Sequence, residues 1–151
     1  MKVAIISENK KDFLDLLLLA DEQEDMIDKY LERGVLFALY DDDLKSICVV
    51  TDEGSGTFEV QSLATYPQFQ RKGYGRYLIN YVCDHYRGEN GTSMIVGTGD
   101  TPIIVPFYEN SGFVISHRKE NYFLEHYKEP IFEHGVQLQD KVFLKRELQR
   151  V

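Results

Sequence analysis

Apolar and polar positions along the chain follow two periodicities, one typical of strands and one typical of helices. Alternating or short continuous apolar runs predict strands at 2–7, 35–40, 44–51, 57–65, 94–97, 113–118 and 137–148. Apolar residues at helical spacing predict helices at 12–22, 25–33, 73–86 and 103–109. Strands are consecutive in the first half and alternate with helices in the second. This order predicts an α/β fold with a mixed sheet of about seven strands and helices on its faces.

Turn residues add detail to this prediction. Gly34 is expected to end the second helix in the left-handed conformation. Pro102 suits the first turn of the helix at 103–109, where a missing N–H is tolerated, and Pro106 must either lie in that turn too or bend the helix. Residues 120–135 are predicted to be an aromatic and acidic loop, which covers a substrate groove or packs against a second subunit.

Length and charge narrow the class of protein. The 151 residues fit a single domain over 1–151, and the net charge is −8. An acidic chain is poorly suited to broad contact with nucleic acid or an anionic membrane. The first residues have a strand pattern rather than that of a secretion signal. The two cysteines lack the spacing of a zinc site, so we expect a cytoplasmic protein without a structural metal.

One segment departs from the acidic average. Between Val60 and Cys83 there is no Asp or Glu, whereas Arg71, Lys72 and Arg76 add three positive charges. Glycines beside them precede a predicted helix, whose first N–H groups and dipole favour an anion. The sequence therefore predicts a phosphate site, although the same glycines also fit a strand–turn–helix junction that binds nothing. The spacing matches neither a Walker loop nor a dinucleotide fingerprint.

Two motifs identify a family. Residues 63–75, LATYPQFQRKGYG, closely resemble motif A of the GNAT acyl-CoA-dependent N-acetyltransferases, and residues 107–113, FYENSGF, resemble their second signature. Segments 97–100 and 129–133 are similar to a bacterial subgroup whose substrates are mostly unassigned. The resemblance implies the GNAT fold, in which the strand before motif A splays from its neighbour and CoA enters the gap.

The resemblance also implies where acetyl-CoA binds. The backbone at 63–65 would bind the pantetheine amides, and backbone N–H groups at 71–76 would cradle the pyrophosphate. Thr65 replaces the usual apolar residue, with little expected effect because main-chain atoms bind there. The candidate cofactor-binding residues are Leu63, Ala64, Thr65, Gln70, Arg71, Lys72, Gly73, Tyr74, Gly75 and Arg76.

Transfer of an acetyl group to an amine needs a base, an oxyanion donor and an acid for the departing thiolate. By resemblance, Tyr108 is the acid or positions the sulfur, and a backbone N–H near Ala64 or Thr65 is the oxyanion donor. Glu59 is the first candidate for the base. Alternatively, Tyr108 is an ordinary core aromatic residue and Glu59 is an exposed strand residue.

Other polar residues have more ordinary interpretations. Asp100 fits a turn or helix N-cap, although its region often supplies active-site contacts in the family. Asp21 and Glu22 would bind a cationic amine or end a solvated helix. His117 would line the acceptor pocket or have an ordinary structural role, and the other three histidines share no metal spacing with it.

The sequence thus predicts an N-acetyltransferase that moves an acetyl group from acetyl-CoA to a primary amine by direct attack in a ternary complex. The acidic balance favours a cationic small-molecule acceptor. Neither nucleic acid nor a membrane is expected as a partner, and a homodimer is a family-level expectation. The alternatives are a catalytically idle acyl-CoA-binding module and a binder of another phosphate ligand, such as a nucleotide.

Overall fold

A mixed seven-stranded sheet with helices on both faces forms the centre of the protein. The computed structural model describes residues 1–149. None of the helices in this range is long and apolar enough to cross a membrane. The strands are β1 Lys2–Ile6, β2 Val35–Asp41, β3 Asp43–Gly54, β4 Thr57–Thr65, β5 Ser93–Gly99, β6 Val114–Lys119, β7 Phe132–Glu133, β8 Val136–Gln137 and β9 Lys141–Glu147. The α-helices are α1 Leu14–Ala20, α2 Glu24–Asp28, α3 Tyr74–Gly88, α4 Ile104–Asn110 and α5 Tyr122–His126.

The strand order is β1-β2-β3-β4-β5-β9-β6, and β7 and β8 form a separate hairpin. Strand β3 shows why both faces are covered. Its successive residues Ile47, Cys48, Val49 and Val50 are all buried. Because side chains alternate across a strand, Cys48 and Val50 pack with α3 and α4, whereas Ile47 and Val49 pack with α1 and α2. A continuous apolar run is therefore required here.

A gap opens between the two parallel strands of the sheet. Strands β4 and β5 pair only from Thr57–Val60 to Ser93–Val96. Beyond this point β4 continues to Thr65 in register with β3, and β5 continues to Gly99 in register with β9. The N–H and C=O groups that would have joined β4 to β5 are thus directed into the gap.

The C-terminal part differs from the predicted loop at 120–135. This segment contains α5 and β7, and the last long strand begins at Lys141 rather than at residue 137. Hydrogen bonds to distant residues explain the difference. The Phe123 N–H donates to the Gln139 carbonyl at 2.9 Å, and the Leu138 N–H donates to the Ile131 carbonyl at 2.8 Å. These contacts fold the segment back on itself before β9 starts.

Two turn predictions need correction. The predicted second helix at 25–33 is the shorter α2, and Gly34 is not left-handed. Glycine is needed there because a Cβ would lie 2.7 Å from Val49 Cγ1. Pro106 is in the first turn of α4, the first of its two predicted alternatives, but Pro102 precedes the helix. The Thr101 hydroxyl accepts from the Ile104 N–H at 3.0 Å and so begins this helix.

Candidate active site

A large cleft, which we call the main cleft, occupies the gap between β4 and β5. It has a volume of about 790 Å³. Its wall includes both residues of a cationic loop, 70–76, and the carboxylate of Glu133. It is lined by Leu19, Ala20, residues 60–65, 69–71, 73–76 and 96–98, Ile103, Ile104, Phe107, Tyr108, Asn110, Ser111, Glu133 and His134.

The cationic end of the main cleft is the start of α3. Gly73 is the N-cap, with a φ of 88°, and it offers no side chain to the first N–H groups. The first turn contains no acidic residue. Arg71 is also left-handed, with a φ of 63°, so the loop turns sharply at both residues. A Cβ at Gly73 would meet no protein atom within 4 Å, which leaves this end open to an anion.

A cluster behind this loop holds it in place. The Lys45 ammonium lies 3.6 Å from the centroid of the Phe69 ring and pairs with Asp43. The Tyr74 hydroxyl donates to the Asp41 carboxylate at 2.8 Å. These contacts join the loop and the first residue of α3 to β2 and β3. Sequence reasoning missed Lys45, because nothing local distinguishes it from an exposed strand lysine.

All the predicted cofactor-binding residues except Lys72 line the main cleft. Lys72 is exposed beside it. The polar groups of two predicted side chains are hydrogen-bonded to other residues of the chain, so they are not free to bind the cofactor. The Gln70 amide donates to the Thr65 carbonyl at 3.1 Å, and the Tyr74 hydroxyl is held by Asp41. Arg71 and Arg76 are exposed at the open end, where they can meet phosphate oxygens.

Tyr108 lies in α4 on the wall of the main cleft and is 6% exposed. Its ring packs edge-on against Phe107 and Phe113, at 5.1 and 5.5 Å between centroids. Burial raises the pKa of the Tyr108 phenol far above its usual value. The hydroxyl therefore keeps its proton at neutral pH, and it can donate a hydrogen bond to an atom in the cleft.

A second cavity of about 210 Å³, which we call the side pocket, adjoins the main cleft. The two share a wall that includes Ala20, residues 60–61, residues 97–98 and Glu133. Glu59 lies in the side pocket, not on the main cleft. Burial raises the pKa of the Glu59 carboxyl, and the nearby Lys141 ammonium opposes the rise. Glu59 is thus half-buried beside a cavity rather than fully exposed.

Further carboxylates surround the side pocket. Burial raises the pKa of the Asp21 carboxyl, although Asp21 accepts a 2.9 Å hydrogen bond from the Tyr127 hydroxyl. Burial also raises the pKa of Glu133, and the charges of Glu22 and Asp21 add to the effect. Asp21 therefore belongs to the pocket, whereas Glu22 is exposed. Glu133 was missed because it lies far along the chain from the other carboxylates.

The segment predicted to cover a groove does contribute to the side pocket. Tyr122, Phe123 and Tyr127 line it together with Tyr30. The bond from Tyr127 to Asp21 connects this cover to the end of α1. Phe132, by contrast, is 59% exposed. Most of the aromatic segment therefore closes the pocket within one chain.

Lys141 is a second pocket residue that sequence reasoning missed. Its side chain crosses β5 at Gly97, where a Cβ would overlap Lys141 Cε and lie 2.8 Å from Phe143 Cε1. Leu138 fills the equivalent space at Gly99. Two glycines at alternate strand positions were the available signal, because a strand face without side chains must be filled by neighbouring residues.

Two other candidates lie elsewhere. Asp100 is exposed and pairs with Arg118 at 2.7 Å, and it lines neither cavity. His117 stacks on Phe143 at 4.5 Å between centroids and also lines neither cavity. Both therefore have structural roles on the surface. Within residues 1–149, no group of three or more His, Cys, Asp or Glu side chains is placed to hold a metal ion.

Comparisons with known proteins agree with this geometry. The model of the acetyltransferase (GNAT) domain matches residues 32–115. The chain is 32% identical over 150 residues to the uncharacterized N-acetyltransferase YvbK of Bacillus subtilis, covering 98% of this chain and 97% of that protein.

Solved structures agree as well. A Bacillus subtilis acetyltransferase in complex with CoA superposes with a TM-score of 0.89, at 32% identity over 98% of this chain and 99% of that one. A GNAT family acetyltransferase from Elizabethkingia anophelis with acetyl-CoA bound superposes with a TM-score of 0.91, at 29% identity over 97% of each chain.

The splayed sheet and the uncapped start of α3 fit an acyl-transfer domain. The chain belongs to the GNAT family of N-acetyltransferases. The predicted fold class and acetyltransferase activity are confirmed. The relatives named above are acetyltransferases, so they favour the enzyme over an idle binding module.

Proposed function

We propose that the protein transfers the acetyl group of acetyl-CoA to the primary amine of a small molecule bound in the side pocket. The observation that carries this proposal is the shared wall between the main cleft and the side pocket, at the point where β4 and β5 separate. A thioester that enters through the gap meets an amine in the side pocket there. Direct attack in a ternary complex then needs no covalent enzyme intermediate.

Acetyl-CoA binds along the main cleft. Its pyrophosphate lies at the start of α3 against the N–H groups near Gly73, with Arg71 and Arg76 beside it. Its pantetheine arm adds to the free edge of β4 at Leu63–Thr65, because that edge has no partner strand beyond Val60. Lys72 contributes only long-range charge from outside the cleft.

Glu59 acts as the base for the acceptor amine. A protonated amine cannot attack, and a carboxylate with a raised pKa accepts the proton more readily than an exposed one. The proton passes directly or through a water, the amine nitrogen bonds to the acetyl carbon, and the C–S bond breaks. A backbone N–H near Ala64 or Thr65 stabilises the oxyanion.

Tyr108 positions the sulfur and stabilises the departing thiolate. Complete proton transfer from Tyr108 would leave a buried tyrosinate, which the raised pKa disfavours. A hydrogen bond from the neutral phenol requires no such charge. The thiolate then takes its proton from solvent or from the proton released by the amine.

A cationic acceptor suits the charge of the side pocket. Asp21, Glu59 and Glu133 are all half-buried carboxylates on its wall. Each would be stabilised by a nearby positive charge. They draw the protonated amine into the pocket before Glu59 removes its proton.

Incubation with acetyl-CoA and a panel of small primary amines, followed by detection of the free thiol of CoA, tests the proposal. We expect turnover that depends on the amine and yields its N-acetyl product by mass spectrometry. Tight CoA binding with no acetylated product from any amine would contradict the proposal. Protection against thermal unfolding by ATP but not by CoA would contradict the cosubstrate assignment.

Tyr108→Phe should lower kcat by about tenfold with CoA affinity within twofold of the native protein, because one hydrogen bond to sulfur is lost while the packing is kept. Steady-state kinetics and calorimetric titration with CoA measure the two quantities. The matched control is Tyr86→Phe, since Tyr86 is also 6% exposed but lines neither cavity. An unchanged kcat for Tyr108→Phe would remove Tyr108 from the mechanism.

We also propose a single domain over 1–151, a cytoplasmic location and a homodimer. Two free, buried cysteines suit a reducing compartment.

Edge strand β6 is exposed along its length, with Val114 70% and Ile115 43% exposed, and an edge of this kind can pair with a second copy. Sedimentation equilibrium should give about twice the chain mass of 17.6 kDa, and a purely monomeric result would contradict the dimer.

A further inference from the structure

The side pocket contains the ammonium of Lys141, which makes no ion pair within 4.0 Å among residues 1–149. We propose that Lys141 binds a carboxylate of the acceptor, so that the acceptor is an amino acid or a similar amine that also carries a carboxylate. This inference rests on the proposed function, because it concerns the acceptor of the same reaction. It assigns a role in acceptor specificity to a residue outside both sequence motifs.

Lys141 is built into the pocket rather than left on the surface. Its side chain is half-buried and lies over the space that Gly97 leaves free. Its ammonium lies 4.4 Å from the centroid of the Tyr122 ring and 5.2 Å from that of Phe143. These rings hold the ammonium in place and supply no full negative charge.

A second lysine, outside the pocket lining, adds positive charge beside Lys141. Lys119 of β6 is directly opposite Lys141 of β9, and its ammonium lies 5.4 Å from the Phe143 ring centroid. No carboxylate oxygen within residues 1–149 lies within 4.0 Å of either ammonium. Like charges opposite each other on paired strands destabilise a sheet. The neighbouring Arg118, in contrast, has its own partner in Asp100.

This arrangement fits an anion supplied from outside the chain. Burial lowers the pKa of the Lys141 ammonium and the charge of Glu59 opposes the change, so a ligand carboxylate beside Lys141 would stabilise its charged form. Carboxylates are favoured over phosphates here because the pocket is small, about 210 Å³, and also contains three acidic side chains.

The same pocket can hold the other end of such a ligand. Asp21, Glu59 and Glu133 attract its amine, while Lys141 holds its carboxylate. Aromatic walls from Tyr30, Tyr122 and Phe123 suit an apolar side chain between the two charges. A zwitterion places its carboxylate beside Lys141 and its amine beside the acidic side chains, whereas a simple diamine brings no carboxylate to Lys141.

Matched ligand pairs that differ only in the carboxylate test this inference. We would titrate the CoA-saturated protein with L-phenylalanine against phenethylamine and L-leucine against isoamylamine, and measure binding by calorimetry. We expect the amino acid of at least one pair to bind tenfold or more tightly than its amine. Lys141→Gln should abolish the preference, and Lys141→Arg should retain most of it.

Lys145→Gln is the matched control, because Lys145 is an exposed lysine of the same strand that pairs with Glu147 at 3.3 Å and lies outside the pocket. It should keep the full preference. No preference in the native protein, or an equal preference in Lys141→Gln, would overturn the inference.

Turnover of the same compounds separates this inference from the proposed function. Acetylation of amines and amino acids alike, without a carboxylate preference in binding, overturns the role of Lys141 and leaves the acetyltransferase proposal intact. A carboxylate preference that Lys141→Gln abolishes, without acetylation of either class, supports Lys141 and contradicts the proposed reaction.

Discussion

Gly73→Glu should severely weaken the binding of CoA. The substitution places a carboxylate at the start of α3, where the first N–H groups are uncapped and the surrounding charge is positive. Two unit charges 4 Å apart repel by about 1 kcal/mol in water and about 4 kcal/mol near a protein surface. Since about 1.4 kcal/mol corresponds to a tenfold change in affinity, we expect a loss on the order of 100-fold or more.

Gly73→Gln is the matched control, because Gln has the size of Glu without its charge. Both variants have the same backbone strain, since Gly73 has a φ of 88° and an L-residue there costs about 1–2 kcal/mol. Calorimetric titration with CoA at low and high salt separates the effects, because salt should weaken only the additional loss seen with Glu. Equal affinity in the Glu and Gln variants would show that the phosphates bind elsewhere.

The fold was predictable where local pattern and tertiary packing agree. The run at 44–51 must be buried on both faces, and β3 has helices on both sides. The helix at 73–86 has a complete apolar stripe, and α3 follows it closely. α5 and the β7–β8 hairpin have two to five residues each, too short for any periodicity. Their bonds to residues 137–140 exist only in the folded chain.

The candidate site likewise has one part that the sequence predicted and one part that it did not. The residues of the cationic loop, 70–76, are consecutive in the sequence, so a single motif contains nearly all of this part of the main cleft. The side pocket combines Asp21, Glu59, Glu133 and Lys141 from distant segments, and only Glu59 was proposed for catalysis. The alternate glycines of β5 were the one local sign of this pocket. Their meaning depends on β9 being its neighbour, which the sequence pattern did not establish.

Glu59→Gln should lower kcat/KM for the acceptor by about 100-fold, because loss of a general base typically costs 10²- to 10⁴-fold and solvent can replace part of its role. CoA affinity should remain within twofold, since Glu59 lies in the side pocket and not on the main cleft. Kinetics with the best amine of the panel measure the first quantity, and calorimetry measures the second. Glu147→Gln, on an exposed carboxylate outside both cavities, is the control.

A base at Glu59 also predicts how kcat/KM changes with pH. As a base, Glu59 must be ionised, so kcat/KM should fall as the pH drops through its raised pKa. The acidic limb should therefore lie above the ordinary glutamate value of about 4.3. Lys141→Gln removes the positive charge that opposes this rise, so it should move the limb to still higher pH. A limb that persists unchanged in Glu59→Gln would assign the base to another group.

Stability distinguishes a catalytic role of Glu59 from a structural one. A carboxyl with a raised pKa in the folded state binds its proton more tightly there than in the unfolded chain. Its contribution to the free energy of unfolding is therefore favourable at low pH and is lost as the pH rises through the folded pKa. Near neutral pH the ionised, half-buried carboxylate destabilises the folded state. Glu59→Gln should therefore keep or raise the melting temperature while it lowers kcat/KM. A fall in both would indicate a structural residue, because damage to the fold would then explain the lost activity.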